Sequence, residues 1–415
     1  MATFQEYLET IKNPFIKKCR LRFLQPDGST AFAIDDNYLQ KRNKTFIAEG
    51  SLNVNLQNGQ RRTATLTLDN VNSEYDYAYN KLWFGQEIAI DEGVLLPTGE
   101  DYYIPQGVFL LASPHEDVQP SGRTMKYSLV DKWSNLDGSS YGTLDSTYLV
   151  EEGTNIFLPI SSLLSQVKEN GIVLDRNAPV FTNYYNSLTT TLSDGTTVAM
   201  TDAPYDLTVE AGKSIADIIL GLAEMVAAMV GYDATGTLRI DPSQDDINDA
   251  TKPILWTFSQ EQSHLTGLSY EVKSSEVYND VQIVGAELDN YEQPAARASN
   301  YDPKSDTNIN IIGRRTHREE KSGYSTTTQC QDYATWMLKR MTVLQKSVQI
   351  SASQIMHIEE NKLVEIVRTD KPGSPTERHL VQGFTRPLVG TGTMTINAIS
   401  VNDYPEITVT TNAQT

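Results

Sequence analysis

The chain has 415 residues, of which 39% are hydrophobic and 21% charged, and its formal net charge is -19. At roughly 100–200 residues per domain, two to four domains are expected, and the apolar content excludes a disordered chain. The charge excludes a free nucleic-acid binder, which needs Lys/Arg patches to displace counterions from phosphate. Acidity serves solubility, and it also suits a surface that must not stick to passing nucleic acid. The 21 Tyr, against 11 Phe and 4 Trp, suit half-buried strand faces and interfaces, where an apolar ring carries a wet hydroxyl. Cys19 and Cys330 are too few for a disulfide framework and read as reduced thiols. Residues 1–24 lack the continuous apolar core of a signal peptide. No run approaches the ~20 apolar residues of a spanning helix.

In chain order, a first strand is expected at Cys19–Leu24, turning at Pro26-Asp27-Gly28. Leu52, Val54 and Leu56 alternate with polar residues, as do Ala64, Leu66 and Leu68, so each trio lines one face of a strand. Asn58-Gly59 between them reads as a type I′ hairpin turn. Further strands are expected at Glu87–Ile90, Tyr102–Leu111 and Thr124–Val130, a spacing that suggests a barrel or sandwich. Residues 138–210 are rich in Ser, Thr, Asn and Gly, with a short helix at Ile160–Val167 and a polar hairpin around Ser193-Asp194-Gly195. A helix starts at Ser214: Ile215, Ile218, Ile219, Leu222, Val226 and Met229 share one face, Ser214 and Asp217 form a capping box, and Gly231 supplies the stop. A hairpin follows over Tyr232–Ile240, then a linker over 241–262. Tyr278–Glu287 is a strand, 288–310 a polar loop, and 328–344 a second helix. Strands return at Ser347–Ser351, Lys362–Arg368, Arg378–Phe384 and Thr393–Val401.

The search for chemistry gives no catalytic, cofactor-binding or metal residue. Ala211-Gly212-Lys213-Ser214 resembles part of a phosphate loop, but Leu207 stands where that motif needs Gly. The group is read as a helix cap. Asp241–Asp249 holds Asp246 and Lys252 where a calcium loop needs Gly and Glu, and reads as a solvated acidic linker. None of His115, His264, His317, His357 and His379 is paired at metal-ligand spacing. His357, with Glu359 and Glu360 after it, is expected at the surface. Cys330 lies on the apolar side of its helix and reads as a buried inert thiol. Gly313–Arg318 is the one basic concentration, and it is expected to salt-bridge to an acidic neighbour or subunit.

The succession of segments carries a resemblance. Tyr127-Ser128-Leu129-Val130-Asp131-Lys132-Trp133 ends a strand-rich block, and after a variable insert comes Val209-Glu210-Ala211-Gly212-Lys213-Ser214-Ile215. Then follow Tyr278-Asn279-Asp280-Val281-Gln282-Ile283, the Cys330–Leu344 helix and Leu363-Val364-Glu365-Ile366-Val367-Arg368. This order resembles the baseplate hub (tail hub) proteins of tailed bacteriophages and related contractile injection systems. The resemblance implies a mainly β fold with an α+β insert: tube-like β-barrel domains at 1–137 and 262–415, the latter with helix 328–344, and a mixed α/β insert at 138–261. It implies a non-enzymatic structural protein without cofactor, placed in the virion tail and assembled in the host cytoplasm. A homotrimer would join the six-fold tail tube or distal tail proteins above to a three-fold spike, fibre or tail-tip protein below. The tape measure protein would occupy the lumen, and DNA would pass without specific binding, repelled by a lining of Asp and Glu. The chain's end at Thr415 is expected to leave no room for a fused enzyme. A carbohydrate-binding adhesin is the alternative, and a cell-wall hydrolase would need a carboxylate or zinc site not found.

Overall fold

The computed structural model of the chain describes residues 2–35, 46–70, 85–120, 122–168, 171–181, 189–226, 228–242, 253–259, 264–272, 277–287, 293–342, 346–401 and 407–411. Among these residues strands hold 48% and helices 15%, so the fold is mainly β. The first block runs α1 (Phe4–Ile11), β1 (Lys17–Leu24), β2 (Thr30–Asp35), β3 (Phe46–Asn55), β4 (Arg62–Asp69), β5 (Glu87–Leu95), β6 (Asp101–Gln119) and β7 (Gly122–Asp131). The middle block has β8 (Tyr148–Val150), α2 (Phe157–Leu164), β9 (Val180–Phe181), β10 (Thr189–Thr191), β11 (Thr197–Ala199), β12 (Leu207–Val209), α3 (Ile215–Met225), β13 (Ala228–Tyr232) and β14 (Leu238–Pro242). The last block continues with β15 (Ile254–Ser259), β16 (Leu265–Val272), β17 (Asp280–Val284), β18 (Ala295–Asn300), α4 (Ile309–Ile312), β19 (Thr316–Glu320) and α5 (Thr327–Met341). It closes with β20 (Lys346–Ser353), β21 (Leu363–Val367), β22 (Thr376–Pro387), β23 (Thr393–Ser400) and β24 (Ile407–Thr411).

Strands from both ends of the chain build one 13-stranded sheet, in the order β16-β20-β23-β22-β3-β4-β7-β6-β5-β1-β2, with β15 and β21 branching from β22. The two ends meet where β22 pairs antiparallel with β3, Gly383 opposite Asn55 and Thr385 opposite Asn53. Their inward residues form one core, in which Leu52, Leu66 and Phe109 join Val348, Phe384 and Ile396. Among the described residues this sheet is open, not a closed barrel. α1 was not expected from sequence. Its start is fixed by a Thr3/Glu6 capping box, and Tyr7 and Ile11, one turn apart, enter the common core.

The middle block has its own core, in which Ile218, Ile219 and Leu222 of α3 meet Trp133, Ile160, Val230 and Ile240. A third core lies between α5 and the four-stranded sheet β19-β17-β18-β24. Cys330, Ala334 and Leu338 there pack on Val281, Ile283, Ala296 and Ala298.

Four local expectations are corrected. Asn58-Gly59 makes no type I′ turn, because only Gly59 takes a positive φ, of 91°. The pair instead docks on β13: Asn58 Oδ1 accepts from Val230 N at 2.9 Å, and Gly59 N donates to Val230 O at 2.9 Å. Gly231 does not stop α3, which ends at Met225; it lies in β13, where a Cβ would stand 2.3 Å from Arg61 Nε. The 241–262 linker contains β15, held by parallel pairing to β21, and its residues 243–252 and 260–262 lie outside those described. The 288–310 loop contains β18, the central partner of β17 and β24. In both misread stretches long-range pairing overrides a polar sequence. The expected hairpin at 193–195 forms between β10 and β11, while residues 182–188 lie outside the described set.

Candidate functional site

The outward face of the large sheet carries three uncharged rows across its middle strands. Period-two alternation sends Leu52, Val54, Leu66, Ile350 and Ile396 to the core and their neighbours the other way. Register then aligns the outward residues across the strands. One row runs Gly267, Ser351, Thr395, Thr385, Asn53, Thr63, each opposite the next. A second runs Pro387, Ser51, Thr65, Ser128, Ser113, and a third Ser269, Gln349, Asn397, Gly383, Asn55. Of these, Thr65, Ser128, Thr385, Asn397, Gln349 and Asn55 are exposed. Neighbours bond across strands: Ser51 with Thr65 at 2.8 Å, and Thr385 Oγ1 to Asn53 Oδ1 at 2.8 Å. Charges stand beyond these rows on the same face, at Glu49, Lys126 and Glu271 and, on β1 and β5, at Arg20, Arg22 and Asp91.

Behind that face the two ends of the chain are tied by buried charges. Arg386 of β22 and Glu92 of β5 are both inaccessible, and Arg386 Nε donates to Glu92 Oε2 at 2.6 Å. The guanidinium also donates to Ile355 O at 3.0 Å, to Met356 O at 3.3 Å and to Gln106 Oε1. Lys17 of β1 pairs with the other oxygen of Glu92 at 2.5 Å and bonds Gln354. Arg62 of β4 reaches Glu360 Oε2 at 2.5 Å, Gln106 O at 2.9 Å and Tyr232 O at 3.4 Å, so it links the first, middle and last blocks. A charge taken this far from water needs such partners, since its desolvation costs several kcal/mol. Asp131 ends β7 by accepting backbone N–H groups of Arg61, Arg62 and Trp133, while burial pushes its carboxyl up to about 6. The arrangement is a fastening; it presents no nucleophile or base to solvent.

His357 is not at the surface. It is 8% exposed: its Nδ1 meets Tyr7 Oη at 3.0 Å and its Nε2 meets Leu255 O at 3.0 Å. Burial lowers its pKa, so the imidazole is neutral and Tyr7 donates to Nδ1. This contact pins α1 to the C-terminal half, and no sequence signal announced it. Glu360, three residues on, holds Arg62. Cys330 is buried, with its thiol pushed up to about 11 by burial. Ser214 caps α3, accepting from Asp217 N while Asp217 accepts from Ser214 N at 2.8 Å. Arg314 of the basic run pairs with buried Asp280 at 2.8 Å. Among the described residues no group of three or more His, Cys, Asp or Glu is placed to hold a metal.

No protein-family model matches the sequence, and no curated protein is significantly similar to it. Solved structures are similar in fold. A tail protein from Neisseria meningitidis MC58 superposes with a TM-score of 0.57 at 10% identity, covering 93% of this chain and 97% of that one. The 43 kDa tail protein of prophage MuSo2 from Shewanella oneidensis gives 0.56 at 10% identity, covering 92% and 98%. Prophage tail protein gp18 from Listeria monocytogenes gives 0.55 at 8% identity, covering 93% and 94%. Over nearly its whole length, the chain has the fold of phage tail proteins.

Proposed function

We propose that the chain is a structural tail hub of a bacteriophage, three copies of which form a ring around the DNA passage. The ring would join the six-fold tube or distal tail proteins above to a three-fold tip, spike or fibre below, in a virion assembled in the host cytoplasm. In this reading residues 1–137 and 262–415 supply two tube-like barrel modules per copy, and 138–261 is the insert. The observation that carries it is the set of uncharged rows on the outward face of the large sheet. Rows of Ser, Thr and Asn pass from one end block to the other through the β22–β3 pair, and Asn55, Thr65, Thr385 and Asn397 among them are exposed. Such rows line the passage well: their small side chains leave room, and without Lys or Arg they hold no phosphate. In this reading the lining is neutral, where the net charge alone suggested an acidic one. A ring would also remove the free edge at β16.

Light scattering of the purified chain tests the assembly. Three copies of 46.3 kDa give about 139 kDa, and a stable dimer would overturn it. Imaging of the assembled particle tests the position: this chain belongs on the tail axis between tube and tip.

The adhesin alternative has one favourable observation, a cleft of about 740 Å³ lined by Asn135, Ser139, Ser140, Tyr141 and Lys168. Tyr141 offers an aromatic plane and the others polar contacts, the chemistry of a sugar subsite. Calorimetry with host cell-wall polysaccharide decides: binding lost in Tyr141→Ala supports it, and no heat removes it.

A further inference from the structure

The helix α1 is a strap across the sheet, held by few groups. Tyr7 and Ile11 are its buried residues, while Glu6 and Glu9 are exposed. Lys12, Asn13 and Pro14 after it are exposed too, and the backbone is tied to the sheet again where Ile16 O accepts from Leu95 N at 3.0 Å. An element with so little buried surface, on so short a tether, can open without unfolding the rest.

Its polar anchor is His357. Phe4 and Tyr7 set their rings edge-on to the imidazole, each with centroids 5.5 Å apart, so α1 itself keeps water from His357. Tyr7 Oη accepts from Met356 N at 3.1 Å and donates to His357 Nδ1 at 3.0 Å, while Nε2 donates to Leu255 O at 3.0 Å. The other acceptor within reach of the Tyr7 hydroxyl, Met356 Sδ at 3.8 Å, is a weak one. A second proton on the ring makes both nitrogens donors. Nδ1 then opposes the hydroxyl hydrogen it had accepted.

No neighbouring charge relieves the imidazolium. From β22 the group facing it is Arg386, a cation, and Glu92 of β5 behind it is already taken by Arg386 and by Lys17 of β1. From β15 come Leu255 O and the Trp256 ring, and from β6 comes Tyr102, stacked on Tyr7. Glu359 and Glu360 of the same loop face Arg62. On α1, Glu6 is engaged at the Thr3 cap and Glu9 pairs with Lys12. His264 lies across Trp256 and faces the Lys12 backbone, whose carbonyl favours its charged form.

We propose that α1 is an acid-released strap: protonation of His357 breaks its bond with Tyr7 and lets residues 2–12 leave the sheet, uncovering the apolar seat of Tyr7 and Ile11. The sign follows from burial, which holds the docked imidazole below its ordinary 6.5. Docking is fully favoured above 6.5, and that contribution is lost as pH falls from there through the docked value, by up to about tenfold per unit. The strap does not depend on the hub reading.

Hydrogen exchange of the full chain, expressed as protection factors at about pH 7.5 and about pH 5, tests it, with His357→Gln in parallel. The Gln amide does not titrate, and it has one acceptor and one donor group for Tyr7 and Leu255 O. In the wild type, segment 2–12 should lose about tenfold or more of its protection at the lower pH and stay less protected than β3 and β4. In His357→Gln that segment should keep its protection, while β3 and β4 behave as in the wild type. Unchanged protection of 2–12 in the wild type would overturn the strap. So would exchange of 2–12 and the sheet strands at one common rate, which is unfolding of the whole chain. An equal loss in both proteins would remove His357 as the trigger. If His357→Gln does not fold, Tyr7→Phe replaces it. Without the hydroxyl, 2–12 should be less protected at about pH 7.5 and lose less on acidification, and a loss as large as the wild type's would overturn the proposal.

Discussion

At Glu92 the fold places an inaccessible carboxylate between Arg386 and Lys17. Removing it leaves two buried cations facing each other. Glu92→Ala should therefore lose about 3–5 kcal/mol of stability, read from the urea midpoint, and a midpoint within error of wild type would show that the pair does not fasten the two ends. His379 of β22 is 2% exposed, and burial lowers its pKa to about 4. A base whose folded pKa lies below its unfolded 6.5 stabilises fully above 6.5, and that contribution is lost as pH falls toward 4. Relative to His379→Gln, the wild type should lose up to about 3 kcal/mol over that window. Parallel stability curves would refute this. Asp131 has the opposite sign: with its folded pKa up near 6, protonation on going below 6 relieves its burial. Neither the seam nor the histidines could be read from sequence, because Glu92 and Arg386 stand far apart in the chain and resemble any surface charge until the fold encloses them.

Elements whose boundaries rest on local chemistry were legible. The Ser214/Asp217 capping box starts α3 as the spacing requires, and the alternation at 52–56 and 64–68 gives β3 and β4. Elements decided by distant partners were not. Asn58-Gly59 carries a strong hairpin signal, yet its polar groups serve β13 of the middle block. Gly231 resembles a helix stop, yet its lack of a side chain admits the stem of Arg61. Gly231→Ala should push that stem aside and destabilise the chain by about 1–3 kcal/mol. Hydrogen exchange should show the loss concentrated in β13 and the 56–61 connection. Loss spread evenly over the large sheet would mean that this contact is not where the blocks are joined.

Across the whole molecule, the distribution of charge matters more than its total of -19. The outward rows on β3, β4 and β22 are neutral, so charge can be added there without touching the core. Asn53→Lys, Thr65→Lys and Thr385→Lys together should give the chain salt-dependent affinity for duplex DNA that the wild type lacks, falling steeply between 50 and ~200 mM salt. Filter binding at the two salt concentrations measures it. If the wild type itself binds DNA in that assay, the neutral-lining reading fails.

The sequence by itself determined a mainly β chain, the approximate position of most strands, the two long helices and the resemblance to tail hubs in the order of segments. Those properties rest on periodicity and capping, which act within a few residues. Only the tertiary structure decided that the chain's two ends share one sheet and one core, that uncharged outward residues align into rows across it, and that His357, Glu92 and Arg386 are enclosed. Register and burial arise when strands more than 300 residues apart pair, as Asn53 and Thr385 do, and no local pattern encodes which strand a given edge will meet.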